Sequence, residues 1–282
     1  MPGPWPGTES AAAGEAAAGV KGASRRSRDA PGYYRAAMCF ELDSEPPIPA
    51  IKGAAVSHDD LVLEAADGNR FAAFEATPED GSGNVGVVIL PDVRGLYRFY
   101  EELALRFAER GYHAIAIDYF GRTAGVAKRG DDFEYMPHVD ETTPEGVQAD
   151  VRAAVERTHE NGYHAVFTVG FCFGGRNSWL AAASGHGLAG AVGFYGHPGT
   201  ILERVPQIDA PILALQAGDD QRITPEVNRA FEEALDAAGV EYELVVYDGA
   251  PHSFFDRRQE EFLEASEDAW ARTLAFIDRH AA

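Results

Sequence analysis

Short apolar runs alternate with amphipathic segments along most of the chain. Residues 61–64 and 71–75 flank Asp67-Gly68-Asn69, a turn sequence that predicts an antiparallel hairpin. Six further runs are short and almost continuously apolar, which is typical of parallel strands buried on both faces. These predicted strands are 85–90, 113–117, 165–170, 188–195, 211–216 and 242–247.

The segments between these runs have the period of amphipathic helices. Residues 144–160 follow Thr143, a residue type that caps helices, and Pro144 suits the first helical position. Because strands and helices alternate, we predict an α/β fold with a mostly parallel central sheet and helices on both faces. The other predicted helices are 100–108, 175–183, 225–238 and a final one whose apolar face carries Phe262, Ser266, Trp270, Leu274 and Ile277.

The first part of the chain differs in composition from the rest. Residues 1–37 are rich in Ala, Gly, Ser and Pro and have no hydrophobic period, which predicts disorder. Met38 follows and is a candidate alternative start of translation. We therefore divide the chain into a disordered or extended segment, 1–54, and a folded domain, 55–282.

The charge balance narrows the range of partners. The chain has 24 basic and 45 acidic residues, for a net charge of −21. Such a surface repels phosphate backbones and anionic membranes, so we expect a small-molecule substrate and no nucleic acid or membrane partner. No apolar run has the length of a membrane span and no standard secretory signal is present, so the expected location is the cytoplasm. A monomer or small homo-oligomer is expected.

One segment carries the pattern of a nucleophile. Gly170-Phe-Cys172-Phe-Gly174 falls between a predicted strand and a predicted helix. This is the nucleophile-elbow spacing, with Cys172 where serine is more usual. The turn is sharp, and side chains two residues before and after the nucleophile would clash with the strand and helix. The helix N-terminus favours the thiolate form of the cysteine.

An elbow predicts that an acid and then a histidine follow in chain order. Asp219 and Asp220 come after the 211–216 strand, and His252 comes after the last strand. We interpret Asp219 as a turn residue. The expected catalytic set is therefore Cys172, Asp220 and His252.

Taken together, these motifs resemble the dienelactone hydrolase family of the α/β-hydrolase superfamily over residues 55–282. The elbow Gly170-Phe-Cys-Phe-Gly-Gly175 is the most specific of them. In the family pattern Gly-x-Asp the acid is Asp220. The remaining matching motifs are Ala250-Pro-His252-Ser-Phe254, Pro91-Asp-Val-Arg-Gly95 and Asp118-Tyr-Phe-Gly-Arg122.

The resemblance implies an esterase of the carboxymethylenebutenolidase type, acting through a thioacyl-enzyme. It places the backbone N–H groups of Phe173 and Val93 in the oxyanion hole. Asp92 stands where the family has a glutamate that takes up the thiol proton, and it is one methylene shorter. The alternative is that Asp92 accepts hydrogen bonds from N–H groups of its loop.

The resemblance also bears on the substrate end of the site. Arg94, Tyr97 and Arg122 are candidate substrate-binding residues, although each could instead form surface pairs. Asp256 occupies the position of a family arginine that binds the substrate carboxylate, and a carboxylate there would repel an anionic substrate.

Two other functional classes stay open on the sequence. One is a non-catalytic α/β-hydrolase-fold protein that binds a small ligand, which would not need Cys, Asp and His in this order. The other is a redox or dehalogenating thiol enzyme, for which Cys39 is the available second cysteine. No metal or organic cofactor is expected, because the His and Cys spacings typical of zinc sites are missing.

Overall fold

The computed structural model describes residues 43–54, 56–79, 83–130 and 132–281. Its centre is an eight-stranded sheet, and every residue of the strands β3, β4, β5 and β6 is buried. The strands are β1 Val56–Glu64, β2 Arg70–Pro78, β3 Val85–Leu90, β4 His113–Ile117, β5 Ala165–Phe171, β6 Gly190–Phe194, β7 Ile212–Asp219 and β8 Tyr242–Pro251.

The order of the strands across the sheet is β1-β2-β4-β3-β5-β6-β7-β8. The hairpin of β1 and β2 is antiparallel, and β2 pairs antiparallel with β4. All other neighbouring pairs are parallel. The predicted α/β-hydrolase fold with a mostly parallel sheet is therefore confirmed.

The described part of the chain contains seven α-helices, and the last of them, α7, follows the final strand. Thr143 caps α4 as predicted, because its Oγ1 accepts a hydrogen bond from the Gly146 N–H at 3.1 Å. Two short helices, α2 and α3, were not predicted, since they are too short to show a hydrophobic period. The helices are α1 Arg98–Ala108, α2 Gly121–Ala124, α3 Tyr135–Glu141, α4 Pro144–Glu160, α5 Phe173–Ala182, α6 Pro225–Ala238 and α7 Leu263–His280.

The parallel direction of the strands determines where a site can form. The loops that follow β3 to β8 all leave the carboxyl edge of the sheet, where ligand sites of open α/β sheets lie. Among the described residues, no helix is long and apolar enough to cross a membrane.

The lead-in segment 43–54 has no helix or strand, yet it contacts the folded domain at two places. Ser44 Oγ donates to Asp256 Oδ2 at 2.8 Å, and the Ile51 N–H donates to Glu109 Oε2 at 2.9 Å. Ile48 is buried between these two contacts. The predictions for residues 1–37, Met38 and Cys39 lie outside the described residues.

Asp256 is the centre of the first contact. Its side chain is buried, and it also accepts the N–H groups of Glu45 at 3.2 Å and Arg258 at 3.1 Å. The carboxylate is thus occupied in holding the lead-in segment against the loop after β8. The sequence analysis expected a carboxylate at position 256 to repel an anionic substrate. In the structure this carboxylate is instead bound to the lead-in segment.

Asp256→Ala should lower the free energy of unfolding by about 3 kcal/mol, since three donors lose a buried acceptor. Asp43→Ala is the control, because Asp43 pairs with Arg258 at an exposed site and its loss should cost less than about 1 kcal/mol. Urea unfolding followed by circular dichroism measures both variants. Equal losses would contradict the anchoring role of Asp256.

Candidate active site

Cys172 lies at the sharp turn between β5 and α5. Its φ of 54° and ψ of −108° are uncommon for a residue with a side chain, and such conformations concentrate at functional sites. The Cys172 N–H donates to the carbonyl of Phe194 at 2.9 Å, which fixes the turn to β6. A Cβ added at Gly174 would lie 1.9 Å from the carbonyl oxygen of Leu90, and one at Gly170 would lie 2.0 Å from that of Gly174. Only glycines at these two positions allow the turn.

Asp220 and His252 come from the two loops next to each other on the same edge of the sheet. His252 Nδ1 and Asp220 Oδ2 are 2.5 Å apart. Asp220 Oδ1 also accepts the N–H of Arg222 at 2.9 Å. Burial raises the pKa of Asp220, but the hydrogen bond and charge of His252 outweigh it and lower the pKa overall. Asp219 is exposed, whereas Asp220 contacts His252. The structure thus distinguishes between the two candidate acids of the sequence.

The structure also brings His252 together with Cys172. Burial lowers the pKa of His252, but the charge of Cys172 and the hydrogen bonds to Asp220 and Cys172 raise it to about 9. This coupling requires the thiol and the imidazole to be close. The raised pKa favours the imidazolium form of His252 beside the Cys172 side chain.

Asp92 is paired with Arg94 instead of with Cys172. The Asp92 side chain is fully buried, and Arg94 Nη2 lies 2.9 Å from its Oδ2. The Arg94 N–H donates to Oδ1 at 2.8 Å, and the Tyr97 hydroxyl donates to Oδ2 at 3.2 Å. The Arg94 guanidinium also stacks 4.3 Å from the centre of the Tyr97 ring. Asp92, Arg94 and Tyr97 therefore form one cluster within the loop after β3.

The two expected oxyanion donors belong to different elements at the same edge. Phe173 is the first residue of α5, and Val93 lies in the loop between β3 and α1. Both residues are buried. Neither backbone N–H meets an acceptor among the described residues. For Phe173 this is usual, because it lies in the first turn of α5.

Arg122 is not brought to this group of residues. Its Nη1 lies 2.5 Å from Asp150 Oδ2, and its Nη2 lies 2.6 Å from Asp67 Oδ2. It thereby ties the β1–β2 turn to α4. Both ends of its guanidinium are engaged by carboxylates, which fits the alternative of surface pairs that the sequence left open for Arg122.

Two residues that were not predicted from the sequence, Tyr195 and Tyr119, lie beside the expected catalytic and oxyanion residues. The Tyr195 ring is fully buried with its centre 4.9 Å from that of His252, and its φ of 37° is again in the left-handed region. Its position at the end of a predicted strand was the available signal. Tyr119 packs edge-on against Phe173, with ring centres 5.1 Å apart.

Arg176 is the third residue that was missed. It stacks over Phe173, 4.5 Å from the ring centre, and lines a cavity of about 110 Å³ together with Thr142, Thr143 and Thr200. Among the described residues, no carboxylate lies within ion-pair distance of Arg176. It thus differs from Arg94 and Arg122. A position four residues after the nucleophile, in the first turn of α5, was the signal.

The same described residues hold no group of three or more His, Cys, Asp or Glu side chains that could bind a metal ion.

Comparisons with known proteins show which proteins this chain is similar to. The sequence profile of the dienelactone hydrolase family matches residues 71–281. A candidate carboxymethylenebutenolidase of Escherichia coli is 29% identical over 229 residues, which cover 76% of this chain and 84% of the relative. A carboxymethylenebutenolidase of Rhodococcus opacus is 29% identical over 263 residues, covering 86% and 97%. A crystal structure of a candidate dienelactone hydrolase from Klebsiella pneumoniae is 26% identical, with a TM-score of 0.70, covering 79% of this chain and 99% of its own.

Replacing Cys172 by alanine removes the charge and one hydrogen bond that raise the pKa of His252. In Cys172→Ala we expect this pKa to fall from about 9 to near or below the ordinary value of about 6.5, since burial is then opposed by Asp220 alone. An NMR pH titration of the histidine ring protons measures the change. His186, whose pKa burial lowers to about 4, is an internal control that should not move. An unchanged His252 pKa would show that the two side chains are not coupled.

Proposed function

The chain belongs to the dienelactone hydrolase family, and from this premise we propose that it cleaves a small ester or lactone with Cys172 as the nucleophile. Membership in this family makes the protein an ester hydrolase, and its curated relatives include the carboxymethylenebutenolidase of Rhodococcus opacus. The finer proposal concerns the triad and the thioacyl-enzyme. It rests above all on the meeting of Cys172, His252 and Asp220 at one edge of the sheet.

In the first half of the reaction, the Cys172 thiolate attacks the carbonyl carbon of the ester. The N–H groups of Phe173 and Val93 donate to the oxygen as it becomes negatively charged. The carbon–oxygen bond to the alcohol then breaks, and the His252 imidazolium gives its proton to the leaving alkoxide. A thioester on Cys172 remains. If the substrate is a lactone, the alcohol stays attached to the acyl group.

In the second half, neutral His252 takes a proton from a water molecule, which attacks the thioester. The carbon–sulfur bond breaks, the acid leaves, and the thiolate–imidazolium pair is restored. Asp220 orients the imidazole through the 2.5 Å contact with Nδ1, which leaves Nε2 for the proton transfers. The two halves of the reaction use only the three side chains, the two oxyanion donors and water.

Asp92 has an ordering role in this proposal. Its carboxylate is engaged by Arg94, the Arg94 N–H and Tyr97, and the short side chain keeps it within its own loop. It therefore holds the loop that carries Val93. Activation of the thiol falls to His252, which the raised pKa supports.

Cys172→Ala should lower kcat/KM on a panel of activated esters and lactones by about 10³-fold or more, because the covalent route is lost. Cys39→Ala is the matched control for loss of a cysteine and should keep full activity. Turnover by Cys172→Ala at the level of the unsubstituted enzyme would exclude Cys172 as the nucleophile. Absence of turnover in both proteins would favour the alternative of a non-catalytic ligand-binding protein.

Arg176 gives the site a preference for substrates with a negative charge in our proposal. Its guanidinium lies one helical turn after Cys172, at the wall of a cavity large enough for a carboxylate. The first turn of α4, with its positive end, borders the same cavity. A carboxylate in this cavity would offset the charge of Arg176.

Arg176→Met should lower kcat/KM by about 10- to 100-fold for an ester that carries a carboxylate, which is the worth of a charge-assisted hydrogen bond. The neutral amide analogue of the same ester should change little. Arg152→Met is the control, because Arg152 contacts only backbone carbonyls at an exposed site. Equal losses on the two esters would contradict a role in charge selection.

A further inference from the structure

Asp118 and Tyr119 follow β4 directly, in a motif that the triad and the oxyanion donors leave without a role. Asp118 is fully buried and Tyr119 is almost so. Both side chains turn toward the neighbouring loop, residues 91–96, which carries Asp92 and Val93. We call residues 91–96 the oxyanion loop.

Tyr119 contacts the start of the oxyanion loop and the elbow at once. Its hydroxyl donates to the carbonyl of Pro91 at 2.9 Å. Its ring packs edge-on against Phe173 at 5.1 Å between centres. Burial raises the pKa of Tyr119 well above its ordinary value, so the hydroxyl remains a donor throughout the working pH range. One side chain thus spans the two segments that carry the proposed donors.

Asp118 holds the other end of the oxyanion loop. Its Oδ1 accepts the Leu96 N–H at 3.1 Å, and its Oδ2 accepts the Phe120 N–H at 2.9 Å. Gly95, with a φ of 78°, lies so close that an added Cβ would be 2.4 Å from Asp118 Oδ1. The oxyanion loop therefore packs directly against the Asp118 carboxylate at Gly95.

Arg129 completes the arrangement by compensating the buried charge. Its Nη2 lies 2.7 Å from Asp118 Oδ2, and its Nε donates to Oδ1 at 3.3 Å. The guanidinium stacks 4.7 Å from the centre of the Phe133 ring. Asp118 can accept two backbone N–H groups in the interior because this cation lies beside it.

We propose that Asp118 and Tyr119 are positioning residues that set the distance between the N–H groups of Val93 and Phe173. This inference rests on the proposed function, since it assumes that these N–H groups bind the oxyanion. Fixed donors stabilise a developing charge only when they lie where the charge forms, so a loop held at both ends lowers the barrier for attack on the carbonyl.

Tyr119→Phe tests the proposal with the smallest change, because it removes the bond to Pro91 and keeps the ring against Phe173. We expect kcat to fall about 10-fold or more, with KM changed less than about 2-fold, since small misplacements of catalytic groups have costs of this size. Alkylation of Cys172 by iodoacetamide forms no oxyanion, so its rate should be unchanged. A defect in folding or in the cysteine itself would slow both reactions.

Tyr112→Phe is the matched control, because the Tyr112 hydroxyl bonds Asp278 at an exposed site before β4. It should change neither reaction. Asp118→Asn is the second variant, and it keeps the shape of the side chain. It should also lower kcat while leaving the rate of Cys172 alkylation unchanged. An unchanged kcat in both Tyr119→Phe and Asp118→Asn would overturn the inference, and so would a parallel loss of alkylation. If Cys172→Ala retained turnover, the proposed function itself would fail, which is a different result.

Discussion

The site depends on one strained residue. Cys172 must hold a positive φ at the end of a buried strand, a conformation that costs of order 1–3 kcal/mol for a residue with a side chain. The cost is tolerated because Gly170 and Gly174 have no Cβ. The strand, the helix and the carbonyl of Leu90 can therefore pack closer together than any Cβ would allow. The turn delivers the sulfur to the N-terminus of α5 and to the carboxyl edge of the sheet, where every other part of the site is found.

The charges at this edge follow a simple rule in spite of the strongly acidic composition. Three buried carboxylates each have one basic group in contact: Arg94 beside Asp92, Arg129 beside Asp118, and His252 beside Asp220. Asp256 is an exception, because it accepts three hydrogen bonds instead. Burying a carboxylate without such a partner is costly, so these pairs stabilise three acids close to the proposed nucleophile. In our proposal, two of the three acids order the loops, and the third orients the general base. Arg176 has no carboxylate within ion-pair distance among the described residues, and we therefore propose that its partner is the substrate.

The sequence allowed prediction of the parts of the site that depend on local pattern and chain order. The elbow spacing predicted Cys172, and the order of acid and histidine after late strands predicted Asp220 and His252, which the structure brings into contact with each other. The strand and helix periods also placed most of the sheet. Contacts between distant residues could not be found in this way. Arg122 meets Asp67 and Asp150, which are 55 and 28 residues away, and Asp256 meets Ser44 at a separation of 212 residues. Whether an arginine contacts a substrate or a carboxylate depends on such long-range contacts. The hydrophobic periodicity of the sequence contains no information about them.

In our proposal, Cys172 carries the acyl group during turnover. The most direct measurement is to mix the enzyme with an activated ester, quench with acid within milliseconds, and determine the intact mass and then the modified peptide by mass spectrometry. We expect a mass increase equal to one acyl group, located on the peptide that contains Cys172 and lost when hydroxylamine cleaves the thioester. Rapid turnover with no adduct on that peptide, or with the acyl group on another residue, would contradict it.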